Sequence, residues 1–573
     1  MRIHGAALAA LLCAVLPRMV RSETPDPLRL VPAPADAIAK VESPRALYDA
    51  IYQQEIFQDF LKIDAVAAFY DTAKFRQLIQ FIAYFEKELG HKRLDLLDRL
   101  AGGGAILAAK FDKKAVLVVV AAKDEELLKR FVVLSRKVID QELARQDIKE
   151  KVHSQPYRGV ETMHLAKAFH AARAGSALLF SNDENMLHKA LDLHLDGGKN
   201  SVADAPSLAG VKSHLPEQPL IWGALDLEQI RKIPEVKNSL TTLGLDPITM
   251  FSIGGLVDII KRAPFVCAGL SRSGNNFHAR IALSRGREGM APLAAMFLPD
   301  DEHGTLALLQ PPRCLSSTSY FLDLGKFWEN RHKILTPEQA KSMDKFEAQT
   351  GKYLKGVGLG AILQQSGKYQ RVIVATPGKS AYKIKPTVVT GSFGVVLDMR
   401  SPDFANSMGK ILRGTALVAG FQYGVKMVEE KHGAHTLVTY YFPENGKYDG
   451  DENNLRFNFS PCFTSVGNQF VISSTLELGK DLVDCLAKET KEGTSPATQR
   501  THVYGTGVAA NLRASEDLLV AQAILNQALP AAEAKKQFEE LVRLVERLGQ
   551  VQFETRYRAH DFHFDIRWQY DKK

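Results

Sequence analysis

The chain repeats the order of its short sequence patterns, and this repetition limits the fold more strongly than any single motif. Phe-His-x-x-Ile at residues 277–281 returns at 562–566, and Gly-x-Gly-Ala-Ile-Leu at 102–107 returns at 358–363. Three further matches keep the same order. Ala115–Phe131 resembles Phe393–Ile411, and Leu220–Leu227 resembles Val503–Asn511. Between them, Val160–Leu165 and Ala177–Ser181 resemble Ala434–Tyr441 and Phe470–Leu486. Agreement at five places favours two diverged copies over two domains that share their element order by chance.

The repeat divides the 573 residues into five segments. We predict a signal peptide at 1–22, a proline-rich linker at 23–37, a first α+β repeat at 38–288, a linker at 289–304 and a second α+β repeat at 305–573. The separation of matching residues grows from 256 between Gly104 and Gly360 to 285 between His278 and His563. An insertion around Pro377–Ser392 explains most of this growth.

The last strand of the chain indicates how each copy is layered. Apolar side chains at 562, 564, 566, 568 and 570 alternate with polar side chains at 563, 565, 567 and 569. Such alternation is typical of an antiparallel strand with one buried and one wet face. It places Trp568 on the buried face and Arg567 on the wet face. We therefore expect an α+β fold in which each copy is a mainly antiparallel sheet covered by helices on one face.

Helix and strand signals in the first copy are clear. Thr72 can cap a helix that ends at Gly90, and its stripe of Phe75, Leu78, Ile79, Ile82 and Phe85 predicts a buried face. Strands are predicted at 104–111, 115–122, 160–165 and 177–181. Asp124 can cap the helix after the second of these strands, and a helix is predicted over 183–195.

The N-terminus predicts export. Gly5–Leu16 is an apolar run of signal-peptide length, and Val20-Arg21-Ser22 provides a cleavage site before Glu23. The run is too short to span a bilayer, which needs roughly 20 apolar residues. Cys13 lies inside the run and follows Leu12, which disfavours a lipoprotein. We expect a soluble periplasmic or extracellular protein after cleavage near Ser22, with no transmembrane segment in the mature chain.

Charge and cysteine content exclude two classes of protein. The chain has 73 Lys and Arg against 65 Asp and Glu, a formal charge of +8, which is too small for a nucleic-acid footprint on so long a chain. Four cysteines remain after cleavage: Cys267, Cys314, Cys462 and Cys485. They lack metal-ligand spacing, so we expect core thiols rather than a disulfide framework, although three pairings stay open.

The glycine-rich motifs are better explained by turns than by cofactor sites. Gly356–Ala361 satisfies G-x-G-x-x-A by its letters, but a dinucleotide site needs a strand before it and a helix after it. Here a helix-like stretch precedes and a strand-like stretch follows. Pro377-Gly378-Lys379-Ser380 ends like a phosphate loop, yet Ile373 stands where that motif needs its first glycine. No cofactor is predicted.

The remaining motifs do not converge on a catalytic or metal site. Three S-x-x-K pairs, Ser342/Lys345, Ser380/Lys383 and Ser407/Lys410, lack the partner motifs of acyl-transfer enzymes. His432/His435 lies in a turn, and His560/His563 has strand spacing that turns the two rings to opposite faces. Asp449–Asn453 resembles the start of a calcium loop, but Asn454 and Ser460 stand where Gly and Glu are required. We predict no catalytic, cofactor-binding or metal-binding residues.

Three functions therefore stay open. The first is a non-catalytic exported protein with a binding or structural role. The second is an enzyme whose site is assembled from distant residues, which polar groups converging on one deep pocket would favour. The third is a carrier of an apolar ligand, which an apolar cavity of several hundred Å³ would favour. Partner classes consistent with export are an envelope component or an apolar ligand, with no nucleic acid.

Several short segments carry a resemblance to a known family. These are Pro34–Ala37, Glu42–Arg45 before a helix, and the strand endings Leu225–Leu227 and Leu322–Leu324. They resemble an exported bacterial family that is known as a domain of unknown function. The resemblance covers both halves loosely and implies an extracytoplasmic α+β protein. It transfers no reaction and no catalytic residues.

Overall fold

The computed structural model divides the chain into two compact units. Unit 1 comprises Met1–Ser239 and Ala263–Ser284, and unit 2 comprises Leu240–Arg262 and Arg285–Lys573. The structure describes residues 26–63, 66, 70–166, 169–242, 247–296, 298–299, 304–353, 357–446, 448, 450–451, 453–489 and 494–571. The predicted signal peptide lies outside the described residues, as do Gly356, Asp449 and Glu452 of the two glycine- and acid-rich motifs.

Unit 1 alternates short strands with helices. Its strands are β1 (Ala37–Val41), β2 (Gly104–Lys110), β3 (Ala115–Ala121), β4 (His153–Tyr157), β5 (Val160–Leu165), β6 (Phe169–Ala174), β7 (Ala177–Ser181), β8 (Ile221–Asp226), β9 (Phe265–Ser273) and β10 (Asn276–Leu283). Its helices are α1 (Pro44–Tyr52), α2 (Glu55–Phe60), α3 (Ala73–Leu89), α4 (Arg93–Ala101), α5 (Glu125–Arg145), α6 (Glu184–Leu195), α7 (Pro206–His214), α8 (Leu227–Ile230) and α9 (Pro234–Thr242), where the chain passes into unit 2.

The strand and helix predictions for the first copy are confirmed. Thr72 accepts a hydrogen bond from the Phe75 amide at the start of α3, and Gly90 ends that helix in the left-handed conformation. Asp124 accepts from the Leu127 amide and caps its helix as expected. Asp183 accepts from the Met186 amide and caps the helix that was predicted over 183–195. Part of the α3 stripe is wrong: Leu78 and Ile79 are 50% and 39% exposed. Periodicity identifies the apolar face of a helix but does not supply elements to cover its whole length.

Unit 2 begins with an element from the first half of the sequence, α10 (Pro247–Arg262), followed by α11 (Pro292–Ala295). Its strands are β11 (Cys314–Phe321), β12 (Ser366–Ala375), β13 (Ser392–Met399), β14 (Lys426–His432), β15 (His435–Tyr441), β16 (Cys462–Val466), β17 (Gln469–Ser473), β18 (Gln499–Tyr504), β19 (Gln550–Tyr557) and β20 (Phe562–Gln569). The other helices are α12 (Leu324–Ile334), α13 (Pro337–Tyr353), α14 (Leu359–Gln365), α15 (Pro402–Tyr423), α16 (Leu476–Lys488), α17 (Gly505–Ala514), α18 (Glu516–Gln527) and α19 (Ala531–Arg547).

The two units have the same strand order. In unit 1 the antiparallel order is β4-β5-β6-β7-β3-β2-β1-β8-β9-β10. In unit 2 it is β14-β15-β16-β17-β13-β12-β11-β18-β19-β20, also antiparallel. The chain is therefore an α+β protein whose sheets are mainly antiparallel, as predicted.

The pairing registers agree with the positions of the helix caps. Leu117 of β3 pairs with Ser181, and Gly394 of β13 pairs with Ser473. Seven residues after Leu117 and Gly394, Asp124 caps α5 and Ser401 caps α15. Two residues after Ser181 and Ser473, Asp183 caps α6 and Thr475 caps α16. The number of residues between a paired strand position and the next helix cap is therefore the same in both units.

The expectation that helices cover only one face of each sheet is wrong. On β3, Leu117 and Val119 belong to a core with α6, whereas Val118 and Val120 pack with α5. In unit 2, Val396 of β13 packs with α16, and Leu397 packs against a core that contains Phe404 of α15. The continuous apolar run of β3 fits this arrangement, because strands buried on both faces need no polar alternation.

Two local predictions fail for related reasons. Gly358–Leu363 was expected to be a strand matching 102–107, but it forms the start of α14, and the strand begins only at Ser366. In β20, His563 and Asp565 are 3% and 2% exposed, while Trp568 is only partly buried. Phe562, on the other face, is 4% exposed, so the first part of β20 is buried on both faces, which the alternation of apolar and polar residues does not reveal.

Candidate functional site

The described part of unit 2 contains a cleft of about 860 Å³. Its front wall is the connection between β12 and β13, residues 376–391. The other walls are formed by Tyr441, Phe457, Asn458 and Ser460, by the N-terminal turn of α16, and by the junction of α17 with α18. The corresponding connection in unit 1, between β2 and β3, has only residues 111–114. The long connection therefore forms a wall of the cleft that the shorter connection of unit 1 does not provide.

Tyr382 fixes this long connection to the body of unit 2. Its hydroxyl donates to the Phe459 carbonyl at 2.7 Å and accepts from the Phe442 amide at 3.1 Å. Its ring lies 4.9 Å from the ring of Phe457, and the side chain is 9% exposed. Burial raises the pKa of Tyr382, so the phenol stays protonated and keeps its donor role.

Polar contacts hold the rest of the connection. The Glu444 carboxylate accepts the amides of Lys383 and Ile384, both at 3.2 Å. Asn458 donates to the Val388 carbonyl at 2.9 Å and accepts from the Thr390 amide at 3.1 Å. An irregular segment that satisfies its backbone in this way can hold a defined shape without a helix or strand.

The tip of the connection lies close to α16. A Cβ atom at Gly378 would lie 2.0 Å from a carboxylate oxygen of Glu477, the second residue of α16. Glu477 in turn pairs with Arg313 at 3.0 Å. The Pro377–Ser380 motif thus forms a turn that closes against α16. No helix follows Ser380 directly, since residues 376–391 are irregular.

A partly buried polar cluster lies at the wall of the cleft, where Tyr441 and Lys480 are lining residues. Glu430 accepts from the Tyr441 hydroxyl at 2.5 Å and pairs with Lys480 at 3.0 Å. The hydrogen bond from Tyr441, with that from Lys480, lowers the pKa of Glu430. Burial, together with the bond to Glu430, raises the pKa of Tyr441. At neutral pH the carboxylate is therefore ionised and the phenol protonated, so the charge of Lys480 is already balanced.

The other charged groups of the cleft are only partly balanced. Arg513 pairs with Glu546 at 2.5 Å, and Glu516 pairs with Lys535 at 3.3 Å. Lys379, Lys385 and Asp517 line the cleft and form no ion pair with another described residue. A ligand there would meet aromatic and aliphatic surface together with charges of both signs. This lining suits a molecule with polar and apolar parts better than a purely apolar one.

The other motif residues lie apart from the cleft. His432 contacts Asp484 at 2.8 Å and His435 contacts the Ser465 carbonyl at 3.1 Å, while His560 contacts Glu288 at 2.8 Å. Ser342 and Lys345 lie on α13, and Ser407 and Lys410 lie on α15. Of the three S-x-x-K pairs, only Ser380/Lys383 belongs to the long connection, and of these two residues only Ser380 lines the cleft. Gly358 precedes α14 and Gly360 lies within its first turn.

The four cysteines are free thiols in the structure. Burial raises the pKa of Cys267, Cys314 and Cys462 to about 12, and it also raises the pKa of Cys485. Because the thiolate is the reactive form, these groups are poor nucleophiles at neutral pH.

Motif reasoning missed the cleft because its lining residues are drawn from five separate parts of the sequence. The one available signal was the insertion around Pro377–Ser392, which was inferred from the repeat and not linked to a site. An insertion in one of two copies marks the place where their surfaces differ.

No family model and no curated protein matches the chain. Among solved structures, crystal form I of TP0453 is similar over 45% of this chain and 79% of its own, with 10% identity and a TM-score of 0.23. Crystal form III aligns over 48% and 85%, with 12% identity and a TM-score of 0.25. Form IV aligns over 45% and 80%, with 9% identity and a TM-score of 0.24. At these TM-scores the similarity carries no argument about fold or function.

Proposed function

We propose that this chain is an exported, non-catalytic binding protein built from two diverged copies of one α+β unit, and that the cleft of unit 2 holds a small ligand with polar and apolar parts. The observation that carries the binding proposal is the open cleft of about 860 Å³ beside residues 376–391. Its volume lies within the range of about 300–1,000 Å³ that is usual for ligand sites.

The duplication has support beyond the sequence pattern. The two units share ten strands in one order, and the caps Asp124, Ser401, Asp183 and Thr475 keep the same spacing from paired strand residues. The hairpin registers also agree, since His278 pairs with Ser271 and His563 with Arg556, seven residues earlier in each case. Chance similarity of two α+β domains does not require such agreement of register.

Binding is favoured over catalysis by the titratable groups at the cleft. A general acid or base works best with a pKa near the operating pH. The pKa values of Tyr382 and Tyr441 are raised and that of Glu430 is lowered, so all three move away from neutrality. These groups support the shape of the cleft. The charges of Lys379, Lys385 and Asp517 disfavour the alternative of a carrier for a purely apolar ligand.

Export and family membership are proposed on the sequence alone. The apolar run Gly5–Leu16 and the Val20-Arg21-Ser22 site support cleavage before Glu23. The structure has no helix, within the residues it describes, with the length and apolarity to cross a bilayer. Mass spectrometry of the mature protein should find Glu23 at the N-terminus, and an intact Met1 on cytoplasmic protein would contradict export.

The binding proposal can be tested with a substitution that fills the cleft. Ala514 lines the cleft at the end of α17 and is exposed, so Ala514→Trp should occupy space there without disturbing the core. Ala521 is exposed on α18 outside the lining, and Ala521→Trp is the matched control. Melting temperatures would be measured with a panel of amino acids, dipeptides, sugar phosphates and fatty acids.

A polar member of the panel should stabilise the wild type and the Ala521→Trp variant but not the Ala514→Trp variant. Binding at 100 times Kd stabilises by about 2.7 kcal/mol, which corresponds to a shift of about 5 °C or more for a unit of this size. Stabilisation by fatty acids alone would favour the apolar carrier. A ligand that still stabilises the Ala514→Trp variant would bind elsewhere and contradict the assignment of the cleft.

A further inference from the structure

The C-terminal half of α15 presents an apolar face to solvent. Leu417 and Val418 are each 64% exposed and Phe421 is 86% exposed. The three residues share one side of the helix, because residues three or four apart lie on the same face. No charged residue follows Arg413 within α15. Large apolar side chains exposed together are unusual on a monomer and mark a surface that contacts something.

The corresponding helix of unit 1 shows that the fold does not require this face to be apolar. Equivalent positions in α5 and α15 can be found by counting residues from the caps, Asp124 and Ser401. Sixteen and seventeen residues after the cap, α5 has Asp140 and Gln141 where α15 has Leu417 and Val418, and all four are exposed. The same helix position is polar in one copy and apolar in the other, so the apolar face needs a separate explanation.

The spacing along this face is that of an interhelical seam. Lys410, Gly414, Leu417, Phe421 and Gly424 follow one another at intervals of four, three, four and three residues. This alternation keeps one line of side chains facing a partner helix along its whole length. A Cβ atom at Gly414 would have nothing within 4 Å, so this position leaves open space on the helix surface, called the hollow below, two turns before the exposed Phe421.

We propose that this face is the contact between two copies of the chain, which pair α15 antiparallel across a two-fold axis near Leu417 and Val418. In that arrangement Phe421 of one copy enters the hollow at Gly414 of the other. Each large side chain then meets the smallest residue, and the contact is self-complementary, as a two-fold interface requires.

The charges of the helix fit the same arrangement. The axis places Lys410 of one copy beside the C-terminal end of α15 in the other, near Gly424. A helix C-terminus carries a partial negative charge, which a cation stabilises. Lys410 is exposed and forms no ion pair with any residue that the structure describes. A parallel arrangement would instead place the two Lys410 side chains together.

The exposed area suits a weak dimer. A free aromatic side chain offers on the order of 150–250 Å² and an aliphatic one less, so Leu417, Val418 and Phe421 together offer on the order of 300 Å² per copy. With the stem of Lys410 and the backbone around Gly414, two copies would bury about 1,000 Å², the lower end for a specific interface. We expect dissociation in the micromolar range.

The test is sedimentation equilibrium of the full mature chain from 1 to 200 μM, with far-UV circular dichroism to show that each variant is folded. The wild type should show a reversible monomer–dimer equilibrium. Phe421→Asp should weaken dimerisation at least 100-fold. Leu525→Asp, which changes an 82% exposed residue of α18, is the matched control and should dimerise as the wild type does.

Gly414→Leu distinguishes the fitted contact from general apolar adhesion. This variant makes the face more apolar and the helix intrinsically more favourable. It nevertheless fills the hollow for Phe421, and we expect at least tenfold weaker dimerisation. Lys410→Gln should weaken it about threefold and reduce its dependence on salt.

Three results would overturn the proposal. The first is a wild type that stays monomeric up to 200 μM. The second is a dimer that persists in Phe421→Asp or is strengthened by Gly414→Leu. The third is a monomeric wild type that binds vesicles of phosphatidylglycerol and phosphatidylethanolamine through Phe421, which would assign the face to lipid.

Discussion

His502 is an uncharged histidine held within the sheet of unit 2. It lies on β18, where its Nδ1 is 2.6 Å from the side-chain amide of Gln550. Burial, together with the nearby Arg500, lowers the pKa of His502 to about 4. The ring therefore accepts a hydrogen bond and stays neutral at pH values at which an unfolded chain would protonate it.

His502 should make unit 2 sensitive to mild acid. Because its folded pKa is lower than its unfolded value near 6.5, its contribution to stability is complete above pH 6.5 and is lost as the pH falls toward 4. We expect His502→Gln to lose less unfolding free energy between pH 7 and pH 5 than the wild type loses. Urea unfolding at the two pH values checks this. Equal losses in the two proteins would show that His502 is protonated without penalty.

Buried polar residues are what sequence patterns could not predict at this scale. Arg371 is fully buried on β12, where it pairs with Glu489 at 2.5 Å and donates to Gln469 at 3.0 Å. The alternation of β20 likewise assigned His563 and Asp565 to a wet face, although both are buried. The partners that allow such burial come from distant segments, and local periodicity carries no information about them.

At the scale of elements, the helix caps are the best-determined feature. Asp183 accepts from the Met186 amide at 2.7 Å, and Thr475 accepts from the Leu478 amide at 3.4 Å. Each cap satisfies an amide that the helix itself leaves unpaired. The caps at Thr72 and Asp124 could be predicted because capping depends on neighbours within three residues.

Asp183→Ala should destabilise unit 1 by about 1 kcal/mol, since loss of an N-cap typically costs about 0.5–2 kcal/mol. Glu184→Ala, a change in the next residue that leaves the cap intact, should cost less than about 0.5 kcal/mol. Guanidinium unfolding of the full chain, followed by probes in each unit, measures both. If the two variants were equally stable, the hydrogen bond to Met186 would not contribute to the fold.

The internal repeat predicts the wrong kind of secondary structure at one place. Gly358–Leu363 shares letters with Gly102–Leu107, but the first forms a helix start and the second a strand start. The registers instead make β12, which begins at Ser366, the counterpart of β2. Short identical strings fix a structure only when their tertiary surroundings are also the same.

At the scale of the whole molecule, the sequence order and the spatial units do not coincide. The segment 240–262 lies between β8 and β9 in sequence, yet it belongs to unit 2. There Gly255 approaches Leu298 and Tyr557, and Arg262 donates to the Glu288 carbonyl at 2.9 Å. Composition and strand order could be used to predict two α+β units, but no local pattern indicates that a helix joins the later one.

A fragment of residues 305–573 should therefore be less stable than a fragment of residues 240–573. The shorter fragment lacks α10 and exposes the apolar surface around Tyr557. We expect a melting temperature lower by about 5 °C or more, or aggregation, since even a few kcal/mol is a large part of native stability. Calorimetry of the two fragments measures the difference. Equal melting temperatures would mean that α10 is dispensable for unit 2.

The placement of α10 also implies a delay during biosynthesis between the synthesis of this helix and the synthesis of a residue that it contacts. Its sequence leaves the ribosome before β9, but Tyr557, against which it packs, follows 295 residues after Arg262. At about 5–20 residues per second, that interval is about 15–60 s. During this time a nascent chain holds an apolar helix whose packing surface at Tyr557 has not yet been made, although the strands on either side can already pair. We expect the half-made polypeptide, more than the finished one, to depend on chaperones.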